Sequence, residues 1–103
     1  MCKRMIEYIV EVTVEQQYVV DWVDWMLHEH IPDVMSTGLF LKNTFFQHTS
    51  LNNVFVITYQ CKCLKIFRDY QSNFAKETQL KHSKLFGKVT TANRRIQIVT
   101  NVD

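Results

Sequence analysis

Proline, glycine and long apolar runs are scarce in this chain of 103 residues, and each scarcity limits what the protein can be. With one proline and two glycines, the sequence holds no interdomain linker and no low-complexity tract. We therefore predict a single domain over residues 1–103. No apolar run approaches the ~20 residues that cross a bilayer, so the sequence predicts no membrane-spanning segment.

Cysteine is too sparse for a disulfide framework. Cys2, Cys61 and Cys63 are odd in number, and the basic residues 1–5 lead into a stretch with two glutamates that has no signal-peptide cleavage site. We expect reduced thiols and a cytoplasmic location.

An excess of basic residues is also missing. Twelve Lys and Arg face ten Asp and Glu, a net charge of +2, without the dense basic stripe of proteins that bind phosphate backbones. We expect no nucleic-acid partner. What the sequence does have is 47% hydrophobic and 21% charged residues, which is typical of an ordinary globular domain.

Hydrophobic periodicity predicts both strands and helices. Alternation and β-branched or aromatic residues predict strands over residues 6–14, 39–48, 54–61 and 89–99. Spacings of three and four predict helices over 15–30 and 63–74, and one or two helical turns within 76–86. The first helix should end near His30, because Ile31 precedes Pro32, with a short helical turn after it that Gly38 closes.

The order βαββαβ predicts an α+β, ferredoxin-like fold, in which two main helices cover one face of a four-stranded antiparallel sheet. Val54 and Val56 point to one side of the second hairpin strand while Phe55, Ile57 and Tyr59 point to the other, so both faces of the sheet look apolar. A second copy packed on the bare face, as a homodimer, satisfies this most simply. A covering loop or a different partner chain would satisfy it as well.

Histidines and arginines are the candidate chemical groups. His28 and His30 diverge by about 200° on a helix and cannot chelate one ion together, so we expect no metal and no cofactor. His30, at a helix end, can be a structural cap or an acid–base group. Arg94 and Arg95 must point to opposite faces of the last strand, where Glu7 or Glu11 could pair with one of them.

Several short segments carry a family resemblance. They are Trp22-Val23-Asp24-Trp25-Met26, His30-Ile31-Pro32, Thr37-Gly38-Leu39-Phe40, Leu80-Lys81-His82 and Leu85-Phe86-Gly87. Through them, over residues 8–99, the chain resembles the DUF4286 family, small bacterial proteins of undetermined function among the dimeric α/β-barrel domains. The resemblance implies a ferredoxin-like protomer that dimerises through its sheet. It implies no reaction.

Three functions stay open at this point. The first is a homodimeric α/β-barrel protein that binds a small apolar molecule or a protein partner, with a cleft formed by Tyr8, Trp22, His30, Phe46 and Tyr59. The second is a cofactor-independent or haem-using monooxygenase-like enzyme with His30 as its acid–base group. Related barrels suggest this second function, which needs a substrate-sized cavity beside the imidazole. The third is a purely structural or interaction protein.

Overall fold

The computed structural model describes residues 3–100. Its strands are β1 (Ile6–Val14), β2 (Lys42–Gln47), β3 (Val54–Cys61) and β4 (Thr90–Ile98). A first helical run, residues 16–35, joins a 3₁₀ turn (Gln16–Tyr18), α1 (Val19–Trp25), a π-helical segment (Met26–His30) and α2 (Ile31–Met35). A second helical run, residues 64–86, joins α3 (Leu64–Tyr70), a π-helical segment (Gln71–Ala75) and α4 (Lys76–Phe86).

The four strands form one antiparallel sheet in the order β2-β3-β1-β4. Strand β1 lies in the middle, where Tyr8 is opposite Tyr59 of β3 on one side and Ile96 of β4 on the other. Each helical run connects two strands that are consecutive in the sequence but are separated by one strand in the sheet. This is the predicted ferredoxin-like α+β fold, which the structure confirms.

The core lies between the sheet and the two helical runs. Alternate residues of β1 and β3 face the helices, and Trp22 and Val14 are 0% exposed. The other residues of each strand point to the opposite side of the sheet, because strand side chains alternate between faces. Within residues 3–100, no helix packs on that side. The buried cluster contains Ile6, Tyr8, Val12, Val14, Trp22, Met26, Ile31, Val34, Phe40, Phe55, Ile57, Tyr59, Cys61, Phe67, Tyr70 and Ala75.

Both helical runs are continuous where the sequence predicts breaks. The first run does not end at His30, since a π-helical segment widens the turn there and α2 begins with Ile31 and Pro32 at its start. Burial of Ile31 and Val34, at 6% and 1% exposure, outweighs the bias against a helical residue before proline. Gly38 has φ 77° and ends the segment in the predicted left-handed conformation. After the second π-helical segment, α4 is longer than the predicted one or two turns, with 11 residues.

The helix-free face of the sheet is only partly apolar. Phe46, 64% exposed, is directly opposite Val56, and Ile9 and Val54 lie on the same face beside this pair. We call these four residues the apolar strip. The other positions of this face on the hairpin strands, Lys42, Thr44, Thr58 and Gln60, are polar, so the expectation of two apolar faces holds only at the apolar strip. Apart from Ile9, the positions of this face on β1 and β4 are polar as well. The polar positions are Glu7, Glu11, Thr13, Thr91, Asn93, Arg95 and Gln97.

Glu7 has amide partners rather than the expected arginine. Its carboxylate accepts hydrogen bonds from Gln97 at 3.1 Å and from Gln60 at 3.4 Å. Within residues 3–100, no ion pair joins Glu7 or Glu11 to Arg94 or Arg95. The predicted salt link across the sheet is therefore wrong, because the register places glutamine on both neighbouring strands opposite Glu7.

The two described cysteines differ in oxidation state. Cys61 is a free, buried thiol, whereas Cys63 is disulfide-bonded, so the expectation of reduced cysteines is wrong for Cys63.

Within the described part of the chain, no helix has the length and apolar character needed to cross a bilayer.

Candidate functional site

The structure brings together three of the five aromatic and histidine residues that the sequence singled out. Tyr8, His30 and Tyr59 all line a small chamber between the sheet and the first helical run. Trp22 is linked to this group indirectly. It donates a hydrogen bond to His82, whose ring lies 5.8 Å from the ring of His30. Phe46 lies on the helix-free face of the sheet and is not brought to the other four.

This inner chamber has a volume of about 30 Å³, the room of about one water molecule. Tyr59 is 2% exposed, and its hydroxyl has no hydrogen-bond partner within residues 3–100. Buried polar groups are almost always paired, so this hydroxyl is available to pair with a polar atom that enters the chamber. The chamber is lined by Tyr8, Val10, Met26, His30, Val34, Ile57, Tyr59, Tyr70, Gln79 and Arg94.

A much larger outer cleft, with a volume of about 610 Å³, lies between β4 and the second helical run. Tyr8, Tyr70, Gln79 and Arg94 line both cavities and therefore form the boundary between them. A volume of this size falls within the range of small-molecule sites, roughly 300–1,000 Å³. The other residues that line the cleft are Leu64, Phe67, Arg68, Gln71, Ala75, Lys76, Arg95 and Ile96.

Aromatic rings pack around Tyr8 and make the floor of both cavities. The Tyr8 ring centroid lies 5.0 Å from that of Phe67, 6.0 Å from that of Tyr59 and 6.1 Å from that of Tyr70. Such pairs hold one another in fixed, offset or tilted orientations. The floor is therefore rigid and apolar, and the side chain of Tyr8 is placed by β1 at its centre.

His82 is held by a buried hydrogen bond that crosses between the two helical runs. The indole Nε1 of Trp22 donates to Nε2 of His82 at 2.9 Å, and the Trp25 ring lies 5.7 Å from the His82 ring. Because Nε2 accepts this proton, the neutral imidazole carries its own proton on Nδ1. Burial, and then the positive charge of Arg94, lower the pKa of His82, which keeps this acceptor neutral.

His30 is a neutral imidazole inside the chamber. Its pKa is lowered to about 4, mainly by burial; the nearby His82 and Arg94 add to this effect, and Asp33 opposes it. The His30 and His82 rings lie 5.8 Å apart. The His30 side chain has no hydrogen bond to the other described residues, so near neutral pH it can accept a proton or a hydrogen bond from a bound molecule.

The tyrosines of the site are neutral phenols. Burial raises the pKa of Tyr8, Tyr59 and Tyr70, and Arg94 partly offsets this for Tyr8 and Tyr70. Tyr70 Oη lies 3.0 Å from Thr78 Oγ1. Because the Thr78 hydroxyl donates to the Ala75 carbonyl, the Tyr70 hydroxyl donates to Thr78, whereas the unpaired Tyr59 hydroxyl can donate to an acceptor on a ligand.

A haem or a metal ion does not fit these residues. Among residues 3–100, no three His, Cys, Asp or Glu side chains are arranged to hold a metal ion. The Nε2 lone pair of His82 is already occupied by the Trp22 indole, and the chamber beside His30 has a volume of about 30 Å³, far below that of a porphyrin. We derive no chemistry through such a group.

Most of the site was not visible in the sequence. Tyr70, Gln79 and His82 come from the second helical run, and Trp22 and His82 are separated by 60 residues. Helical spacing placed Tyr70 on an apolar stripe, but no sequence signal pairs it with Tyr8. Arg94 was singled out for a salt link and instead lines both cavities.

Known structures share this fold at low sequence identity. SnoaB, a cofactor-independent oxygenase from Streptomyces nogalater, matches with a TM-score of 0.75 and 12% identity over 97% of both chains. An ethyl tert-butyl ether d (ethd) family protein from Bacillus halodurans matches with a TM-score of 0.72 and 8% identity, over 92% of this chain and 99% of that one. A dimeric ferredoxin-like protein from an uncultured marine organism matches with a TM-score of 0.68 and 13% identity, over 98% and 100%. At these identities the likeness shows the fold alone.

The family comparison gives a more specific result. No curated protein matches the chain. The family model described as "Domain of unknown function (DUF4286)" matches residues 5–99, which is nearly the whole chain and agrees with the resemblance seen in the sequence. The chain belongs to the DUF4286 family.

Proposed function

We propose that this protein binds a small, largely apolar molecule in the outer cleft between β4 and the second helical run. The observation that carries the proposal is a cleft of about 610 Å³ that shares Tyr8, Tyr70, Gln79 and Arg94 with the inner chamber, where the buried hydroxyl of Tyr59 has no partner within residues 3–100. A ligand that lies on the aromatic floor and reaches past Tyr8 can place a polar atom near that hydroxyl. This arrangement of an apolar wall with few convergent polar groups is typical of ligand sites.

A neutral fluorescent probe, N-phenyl-1-naphthylamine, tests the proposal. Ile96 lines the outer cleft, whereas Ile98, on the same face of the same strand, does not. We expect saturable binding to the native protein and about tenfold weaker binding to Ile96→Asp, because a short carboxylate adds a charge to an apolar wall. Fluorescence titration gives the dissociation constants.

The matched control for this test is Ile98→Asp. Ile96 and Ile98 are 40% and 44% exposed, so both substitutions place the same charge at similar depth. Binding to Ile98→Asp should stay within about twofold of the native value. Equal weakening by both variants, or no binding at all, contradicts a site in the outer cleft.

We also propose that the protein is a homodimer that packs through the apolar strip of the helix-free face. The strip combines the exposed ring of Phe46 with its cross-strand neighbour Val56, and exposed aromatic groups of this kind are favoured at the centres of interfaces. A structural neighbour that matches 98% of this chain is described as dimeric. The polar residues around the strip suit an interface rim.

Phe46→Lys should weaken the dimer by at least about tenfold, because it places an ammonium group at the centre of the interface. Sedimentation equilibrium over a range of protein concentrations measures the dissociation constant. Val20→Lys, at a residue that is 80% exposed on the helical side, is the control and should leave the constant unchanged. A native protein that stays monomeric at every concentration contradicts this proposal and leaves ligand binding unaffected.

An enzyme activity and a cytoplasmic location stay predictions. His30 is a neutral base, but the cavity beside it has room for about one water molecule, so a substrate must reach it from the outer cleft. The free thiol of Cys61 agrees with a reducing compartment and the disulfide at Cys63 does not.

A further inference from the structure

Four cations line the outer cleft without a single carboxylate among its lining residues. They are Arg68 and Lys76 of the second helical run, Arg94 on the helix side of β4, and Arg95, which lines the cleft from the edge of β4 although its register position belongs to the helix-free face. The whole chain carries a net charge of only +2, so this grouping does not follow from a generally basic composition. The cleft therefore has a local excess of positive charge, which favours an anionic ligand.

Within residues 3–100, none of these cations forms an ion pair with a carboxylate. The ion pairs within residues 3–100 are His28 with Asp24, Lys65 with Asp69, and Lys81 with Asp33. None of them includes a cation of the cleft. A set of unpaired guanidinium and ammonium groups around a concave apolar site is a binding surface for an anion.

Arg94 is the cation best placed to reach a ligand. It lies on the helix side of β4, opposite Val10, and it lines both the outer cleft and the inner chamber. It lines the inner chamber together with His30, and its positive charge contributes to the lowered pKa of His30 and of His82. The cation thus lies where the aromatic floor meets the chamber.

We propose that the ligand is a planar aromatic acid, whose rings lie on the floor formed by Tyr8, Phe67 and Tyr70 and whose acidic group binds the guanidinium of Arg94. The planar fork of arginine presents paired N–H donors that match a carboxylate, a sulfonate or a similar oxyanion. This inference rests on the proposed function and adds the charge and shape of the ligand to it.

Two probes that share one ring system separate the inference from the proposed function. The anionic probe is 8-anilinonaphthalene-1-sulfonate, and the neutral probe is N-phenyl-1-naphthylamine, which lacks the sulfonate. We expect the native protein to bind the anionic probe about tenfold more tightly than the neutral one, as expected for a charge-assisted contact. Arg94→Gln should remove most of this difference by weakening the anionic probe alone.

Lys84→Gln is the control for Arg94→Gln. It also removes one positive charge, but from an exposed residue of the second helical run that lies outside the cleft. It should change neither dissociation constant by more than about twofold. Arg68→Gln provides a second variant of the cleft in case Arg94→Gln does not fold, and it should weaken the anionic probe in the same direction by a smaller factor.

The outcomes are distinguishable. Equal affinity for the two probes, or equal weakening of both by Arg94→Gln, overturns the acidic ligand and leaves the apolar site in place. Failure of both probes to bind the native protein overturns the proposed function as well.

Discussion

Trp22→Ala is expected to lower the free energy of unfolding by about 3–5 kcal/mol, the range for truncating a buried tryptophan. Trp22 is 0% exposed and its ring lies 5.1 Å from that of Phe55 and 5.8 Å from that of Phe45. The substitution removes this packing and also leaves His82 Nε2 without its donor. Urea denaturation followed by circular dichroism near pH 7 measures the loss.

Two further variants divide this effect into its parts. Trp22→Phe keeps a ring in the core but removes the indole N–H, and it should cost about 1–3 kcal/mol, the penalty for a buried acceptor left unpaired. Trp25→Ala, at a half-buried position of the same helix, should cost less than Trp22→Ala. A loss below about 1 kcal/mol for Trp22→Ala contradicts its place at the centre of the core.

Acidification from pH 6.5 to 4 should remove about 3 kcal/mol of stability through His30 alone, since each pKa unit corresponds to about 1.4 kcal/mol. The pKa of His30 is lowered from 6.5 to about 4 in the folded protein. Between these values the unfolded chain binds a proton that the folded chain does not bind, so stability is complete above pH 6.5 and falls as the pH drops towards 4. The lowered pKa of His82 acts in the same direction.

The His30→Gln variant isolates this contribution, because glutamine fills a similar space and does not titrate. Its loss of stability over the same pH interval should be smaller than that of the native protein by about 3 kcal/mol. His28→Gln, at an exposed histidine outside the chamber, is the matched control for the substitution itself. If His30→Gln loses as much stability as the native protein between pH 6.5 and 4, the claim that His30 is buried and neutral is contradicted.

Local patterns were sufficient for the sheet and insufficient for the helices. The predicted limits of β1 and β3 match the structure because β-branched and aromatic residues run through both segments, 6–14 and 54–61, and turn-forming residues precede the second. The π-helical segments were missed, since a widened turn keeps the apolar residues on one side and leaves no local sequence signal. At Pro32, burial of the neighbouring residues overrode the local preference.

The sequence predicted a residue of the candidate site only where the pattern of its own strand placed that residue. Tyr8 and Tyr59 lie on central strands with clear alternation, and both line the inner chamber. Phe46 was grouped with them because its strand is aromatic, but its pairing with Val56 places it on the opposite face. The Trp22–His82 hydrogen bond and the position of Arg94 depend on how separate elements pack, which local patterns do not contain.

The most direct test of the account is a map of ligand contacts on the backbone. Amide correlation spectra of isotope-labelled protein, recorded while N-phenyl-1-naphthylamine is added, report which residues change environment. We predict that the largest shifts occur at residues that line the outer cleft, such as Tyr70, Gln79 and Ile96. Shifts centred on Phe46 and Val56 of the helix-free face, with the outer cleft unchanged, would contradict the account.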